Sequence, residues 1–201
     1  MNNRWIFALG VLACILASMV GLVIVPNYRW RDLKAFEDDM GNKHPYEPYG
    51  GQIHGKQVYA DLGCIYCHSQ QVRAANFGAD IDRGWGTRRS VARDYIYDNP
   101  PYMGTMRTGP DLHNIGARQP SHDWHVLHLY NPQITSPGSV MPPHRFLFKT
   151  VEANGPLPKG AVMIPAQWSP KPTYIVPSER AEFLIEYLKG LDHTYELPEA
   201  K

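Results

Sequence analysis

Cys64-Ile65-Tyr66-Cys67-His68 sets two thiols two residues apart and an imidazole directly after the second. This is the attachment signature of c-type haem: the thiols add to the two vinyl groups, and the histidine is carried beneath the iron. Zinc would need further cysteine or histidine ligands at matching spacing, and there is no second cysteine pair. Thiol–disulfide exchange would place the pair beside a βαβ pattern, and none is visible. One covalent haem c, held by Cys64 and Cys67 with His68 as iron ligand, is therefore expected. Its attachment happens where thiols meet haem outside the cytoplasm.

The second axial ligand decides what such an iron does, because an open position binds small molecules and a closed one mainly exchanges electrons. Downstream candidates are Met103, Met106, Met141 and Met163. Met141 is preferred, because Pro142 and Pro143 can hold an extended loop against the haem face. Methionine there would raise the reduction potential relative to two histidines. Ahead of it, Arg107-Thr108-Gly109-Pro110-Asp111-Leu112 offers three contributions. The Pro110 carbonyl can receive the ring N–H of His68, Leu112 can pack on the porphyrin, and Arg107 can pair with haem carboxylates. Arg73 is a weaker candidate for that last role. His122, His125 and His128 fall at three-residue steps, which rotate around a helix and do not converge on a metal. Trp124 and His125 are read as pocket wall or interface.

The elements that position these residues follow from patterning. Trp5 to Val25 carries no charge and is long enough to cross a hydrocarbon core of about 30 Å. A cleaved signal has an apolar run of only about 7–15 residues and a small-residue cleavage site, so an uncleaved anchor over 1–27 is expected, with Cys14 as apolar filler. Arg4 stands on one flank and Arg29, Arg31 and Lys34 on the other, so orientation rests on the haem chemistry, with the large domain outside. Residues 28–50 read as a juxtamembrane linker and 51–201 as the haem domain. Ile53, Val58, Tyr59 and Leu62 mark a first helix running into the cysteines. A short helix is expected near Ser121–Tyr130. Ser178 caps a last helix with Ala181, Leu184, Leu188 and Leu191 on one stripe. The 18 prolines and 17 glycines make the rest loop-rich. The fold class expected is mainly α: a single N-terminal transmembrane helix plus a loop-rich haem domain. A net charge of +1, with its 20 basic and 19 acidic residues scattered, lacks the basic footprint of a nucleic-acid binder.

Taken together, CIYCHSQQVR, YDNPPYMGTMRTGPDLHNIGARQPSHDWHVLHLYNP and SVMPPHRFLF resemble the mono-haem cytochrome c subunit (subunit II) of cbb3-type haem-copper oxidases. The resemblance covers the anchor and about residues 52–148. It implies His68 and Met141 as axial ligands and a class I cytochrome c domain in the periplasm on a single anchor in the inner membrane lipid. It also implies assembly with a polytopic haem-copper catalytic subunit, fed by another cytochrome c subunit or a soluble electron donor. The chain would relay electrons and reduce nothing alone, serving a proton-translocating oxidase that turns oxygen into water. Residues 149–177 depart from the family pattern in being Pro-rich. The alternatives are a subunit of a nitric oxide reductase, a freestanding anchored shuttle, and a haem enzyme or gas sensor. A copper-carrying subunit fails for want of cysteines three residues apart.

Overall fold

A computed structural model describes residues 3–200. Its first element, α1 (Arg4–Trp30), is a helix of 27 residues, about 40 Å long at 1.5 Å per residue. Its side chains are almost all exposed, as an apolar helix without a protein partner must be. It is long and apolar enough to cross a membrane. Over Val20–Ile24 the helix widens to a π turn, with the Val25 amide reaching back to the Val20 carbonyl. Pro26 follows at once; its ring would crowd the carbonyl four residues back, and the wider turn relieves that conflict. The helix runs three residues past the expected anchor boundary.

After it, β1 (Phe36–Glu37) and β2 (Lys43–His44) form a small antiparallel ribbon. Asp38 organises its turn by accepting hydrogen bonds from the amides of Met40 and Asn42 and from His44 Nε2 at 2.9 Å. This segment is docked on the domain. The His44 ring stacks on Tyr195, 4.5 Å between centroids. Arg93 donates to the Lys34 carbonyl and pairs with Glu199 at 2.5 Å, while Arg89 donates to the Glu199 carbonyl at 2.6 Å.

α2 (Gly51–Asp61) leads into the cysteine loop; α3 (Ile115–Arg118) and α4 (His122–Tyr130) follow it. Ser121 caps α4 by accepting from the Trp124 amide. Then comes a three-stranded antiparallel sheet of β3 (Phe148–Glu152), β4 (Val162–Met163) and β5 (Thr173–Pro177), with β5 central. Phe148 pairs with Pro177 and Glu152 with Thr173. α5 (Glu179–Gly190) closes the domain, capped by Ser178, which accepts from the Ala181 amide. The mainly α expectation therefore holds only in part: the chain is mixed helix and sheet. The Pro-rich stretch read as loop contains paired strands, two to five residues long and punctuated by prolines at their ends.

The core lies where α2 crosses α5. Gly55 makes that approach possible, since a Cβ there would sit 1.9 Å from the Phe183 carbonyl oxygen. Val58, Tyr59, Leu184, Ile185 and Leu188 are buried between the helices, joined by Ile115, Val126 and Leu129, while Ile175 packs from the sheet. Ile53, expected on the buried stripe, is 58% exposed. The contact face of α2 runs through Gly55, Val58 and Tyr59, and Ile53 falls off it.

Candidate haem site

Gly63 ends the turn after α2 with φ +72°, a left-handed conformation that glycine adopts without strain. The chain then tightens into one 3₁₀ turn, Cys64–Tyr66, and the amides of Cys67 and His68 both reach the Cys64 carbonyl. The two thiols and the imidazole are thus delivered by a single turn. Burial pushes the Cys64 thiol up to about 11.

The segment 107–113 is laced to this turn. Gly109 donates its amide to the Cys67 carbonyl at 2.9 Å, and Leu112 donates to Ser69 at 2.8 Å. Asp111, fully buried, accepts from Ser69 Oγ and the Gln71 amide with one oxygen, each at 2.7 Å, and from the His113 amide with the other. The purpose of the lacing appears at His68, whose Nδ1 lies 2.7 Å from the Pro110 carbonyl oxygen. A carbonyl can only accept, so Nδ1 carries the proton and Nε2 keeps its lone pair. Burial lowers the pKa of His68, which favours that neutral form; the Pro110 hydrogen bond opposes it. Gly109 leaves room for the ring, since a Cβ there would come within 2.3 Å of His68 Cε1.

Cys64, Cys67, His68, Pro110, Leu112 and Met141 all line one open cavity of about 570 Å³. That size lies within the range of small-molecule and cofactor sites, roughly 300–1,000 Å³. Leu129, Leu184, Leu188 and Trp124 supply apolar wall. Met141 arrives on the loop 136–142, which is held by Gln133 Nε2 donating to the Ser139 carbonyl at 2.8 Å and by the Met141 amide donating to Ser139 Oγ. His125 and His128 also line the cavity. Burial lowers both imidazoles to about 4. The three histidines of α4 face separate partners: His122 meets Glu182 at 2.8 Å, His125 donates to the Gln119 carbonyl, and His128 meets Thr135 Oγ1.

Arg107 is placed elsewhere. Its fork is taken up by Asp80 and by the Gln71 carbonyl, its guanidinium lies over the Trp85 ring, and it is not part of the cavity wall. Arg73, Met103, Met106 and Met163 are likewise outside that wall. The arginine on the wall is Arg118, which no spacing rule had pointed to. One of its terminal nitrogens donates to the Asp111 carbonyl, and its buried Nε has no partner among the described residues. The residues present fit a flat, largely apolar group bearing carboxylates: apolar walls, two thiols on one turn, one nitrogen lone pair, one thioether and one spare guanidinium donor.

A family model described as "Cytochrome C oxidase, mono-heme subunit/FixO" matches residues 2–162, which takes in α1 and every cavity residue except those of α5. No curated protein matches the chain.

Proposed function

This chain belongs to the FixO family of mono-haem subunits of cytochrome c oxidase, and we propose on that footing that it is the electron-relay subunit of a cbb3-type terminal oxidase. The family carries a haem and works inside an oxidase complex, so a catalytic oxidase subunit is its partner. The observation that carries the finer reading is the convergence of Cys64, Cys67, His68 and Met141 on one cavity, with His68 oriented by Pro110. In this reading Cys64 and Cys67 would hold the group covalently, and His68 Nε2 and the Met141 sulfur would be its iron ligands. The haem supplies reversible one-electron exchange at its iron.

The protein's own contribution is positional. Pro110 fixes the tautomer and the ring plane of His68, as an outer partner of a metal-ligating histidine does. Leu112, Leu129, Leu184 and Leu188 line the cavity and would keep water from a group bound there, which with the methionine would favour its reduced state. Arg118 is the arginine on the cavity wall and would take the carboxylate-pairing role expected of Arg107. The packing of α2 against α5 beside the cavity supports a class I cytochrome c arrangement for residues 51–201. An iron held by both His68 and Met141 would exchange electrons and leave the turnover of oxygen to the partner. The α1 anchor, with the domain on the periplasmic side of the inner membrane, keeps the haem at high effective concentration near a permanent neighbour.

Haem peroxidase stain should persist at the chain's mass on denaturing gels, and Met141→Ala should abolish the thioether-to-iron absorption band. Haem that washes out, or a band that survives, refutes the ligand set. The relay role is tested by gentle solubilisation of membranes with and without this chain: undiminished oxygen uptake by the complex lacking it would reject that role.

A further inference from the structure

The loop that carries Met141 has little burial to hold it. Val140 is 80% exposed, Pro137, Gly138, Pro142 and Pro143 are exposed, and Met141 itself is only partly buried against the core. Its support is a set of hydrogen bonds that starts at the end of α4. Asn131 Oδ1 accepts from the Gln133 amide at 3.3 Å, the Ile134 amide donates to the Asn131 carbonyl at 3.0 Å, and the Ser136 amide donates to the Pro132 carbonyl at 2.9 Å. His128 braces the same turn through Thr135 Oγ1 at 2.6 Å. Residues 131–136 are therefore a firm platform.

Among the described residues, three hydrogen bonds tie 137–143 to that platform. One is the Ser139 amide donating to the Ser136 carbonyl at 3.0 Å. The other two come from one side chain: Gln133 Oε1 accepts from the Gly138 amide at 3.3 Å, and Gln133 Nε2 donates to the Ser139 carbonyl at 2.8 Å. The Met141 amide then donates to Ser139 Oγ, so the thioether hangs from the very residue that Gln133 grips. Gly138 sits at φ +81°, a left-handed conformation that glycine adopts without strain. Pro137, Pro142 and Pro143 fix their own φ angles, so the loop moves as a stiff piece. A single hydrogen bond would leave such a piece free to pivot; two from one planar amide resist the swing.

We propose that Gln133 is the positioning residue for Met141: its carboxamide sets the fraction of time for which the thioether is presented to the cavity, and with it how far the cavity resists ligands from outside. The inference rests on the reading above in which His68 and Met141 are the iron ligands. An outside ligand competes only with the population in which Met141 is withdrawn, so its apparent affinity scales with that fraction. Gln133 is exposed, so replacing it disturbs no core packing. Loss of two neutral hydrogen bonds at the surface should enlarge the withdrawn fraction about five- to thirtyfold.

The test uses the full chain with its haem attached, titrated with free imidazole while the thioether-to-iron absorption band is followed. Gln133→Leu should keep the covalent haem stain and bind imidazole about five- to thirtyfold more tightly than wild type. Gln133→Glu keeps an acceptor for the Gly138 amide but turns a second acceptor toward the Ser139 carbonyl; it should move in the same direction, and it covers the case in which the leucine variant does not accumulate. Thermal midpoint is read alongside, because a merely structural role would lower it and leave the imidazole affinity of the folded protein unchanged. Met141→Ala separates the two readings. If it leaves the band untouched, the ligand assignment has failed and this proposal falls with it. If it abolishes the band while both Gln133 variants bind imidazole as wild type does, the ligand set stands and the positioning role is overturned.

Discussion

A methyl group at position 109 would overlap the ring of His68, because the Cβ would lie 2.3 Å from Cε1 and 2.7 Å from Nδ1. Either the imidazole swings off the Pro110 carbonyl or the laced segment lifts. Gly109→Ala should therefore lose most of its covalent haem, with a stability penalty of about 1–3 kcal/mol for overpacking, measured as stain per unit protein and as urea midpoint. The two arginines divide in the same concrete way. Arg107→Leu strands the nearly buried carboxylate of Asp80, so it should destabilise by roughly 3–5 kcal/mol and leave the haem potential nearly unmoved. Arg118→Leu removes a positive charge from the cavity wall, so it should lower the potential by some tens of millivolts, the scale of about 1 kcal/mol in a one-electron couple. Redox titration of both variants checks the pair. That the two cysteines and the adjacent histidine reach one cavity follows from local spacing, because a single turn carries all three. Arginine roles do not follow from it, because an arginine serves a cofactor only if no nearer acceptor has claimed its fork, and that depends on where Asp80 and Gln71 fold.

Among the elements, the helices were legible and the sheet was not. Ser121 and Ser178 cap the helices they precede, and the Ala181–Leu184–Leu188 stripe is buried as its spacing requires. Strands of two to five residues give no usable alternation, and the prolines that argued for loop sit at strand ends, where a missing N–H is tolerated. The sheet is nevertheless structural. Ile175 on β5 is fully buried against the helical core, so Ile175→Ala should cost about 2–5 kcal/mol, a fall of several degrees in thermal midpoint by calorimetry. Gly55→Ala should do at least as much damage by wedging α2 away from the Phe183 carbonyl. A midpoint shift below one degree in either variant would contradict the packing described.

For the molecule as a whole, acid is the informative stress. His193 is buried, which lowers its pKa to about 3, against about 6.5 in an unfolded chain. The unfolded state therefore takes up this proton first as pH falls. Stability is intact above about pH 6.5 and is lost progressively down to about 3, by roughly 2–4 kcal/mol. Asp94 adds a later limb: burial works against its charge, yet His113 and Arg88 hold it well below the usual carboxylate range, so its contribution is lost only below about pH 3.9. Chemical denaturation from pH 8 to 4 should show the decline, and His193→Gln should make it shallower between 6.5 and 4, the remainder coming from His125 and His128, which burial also lowers to about 4. The segment after the anchor carries a last consequence. Residues 34–44 are fastened to the domain by Arg93 and by the His44–Tyr195 stack, with Glu199 bracing Arg93. A domain on a long leash would present its haem at every bearing; fastening residues 34–44 leaves only residues 31–33 as the joint to the helix and narrows the range of bearings. In stacked, oriented membranes the haem's magnetic axes should then give a sharply angle-dependent resonance, and cutting the fastenings with Tyr195→Ala and Glu199→Ala should blur the angle while the absorption spectrum stays the same.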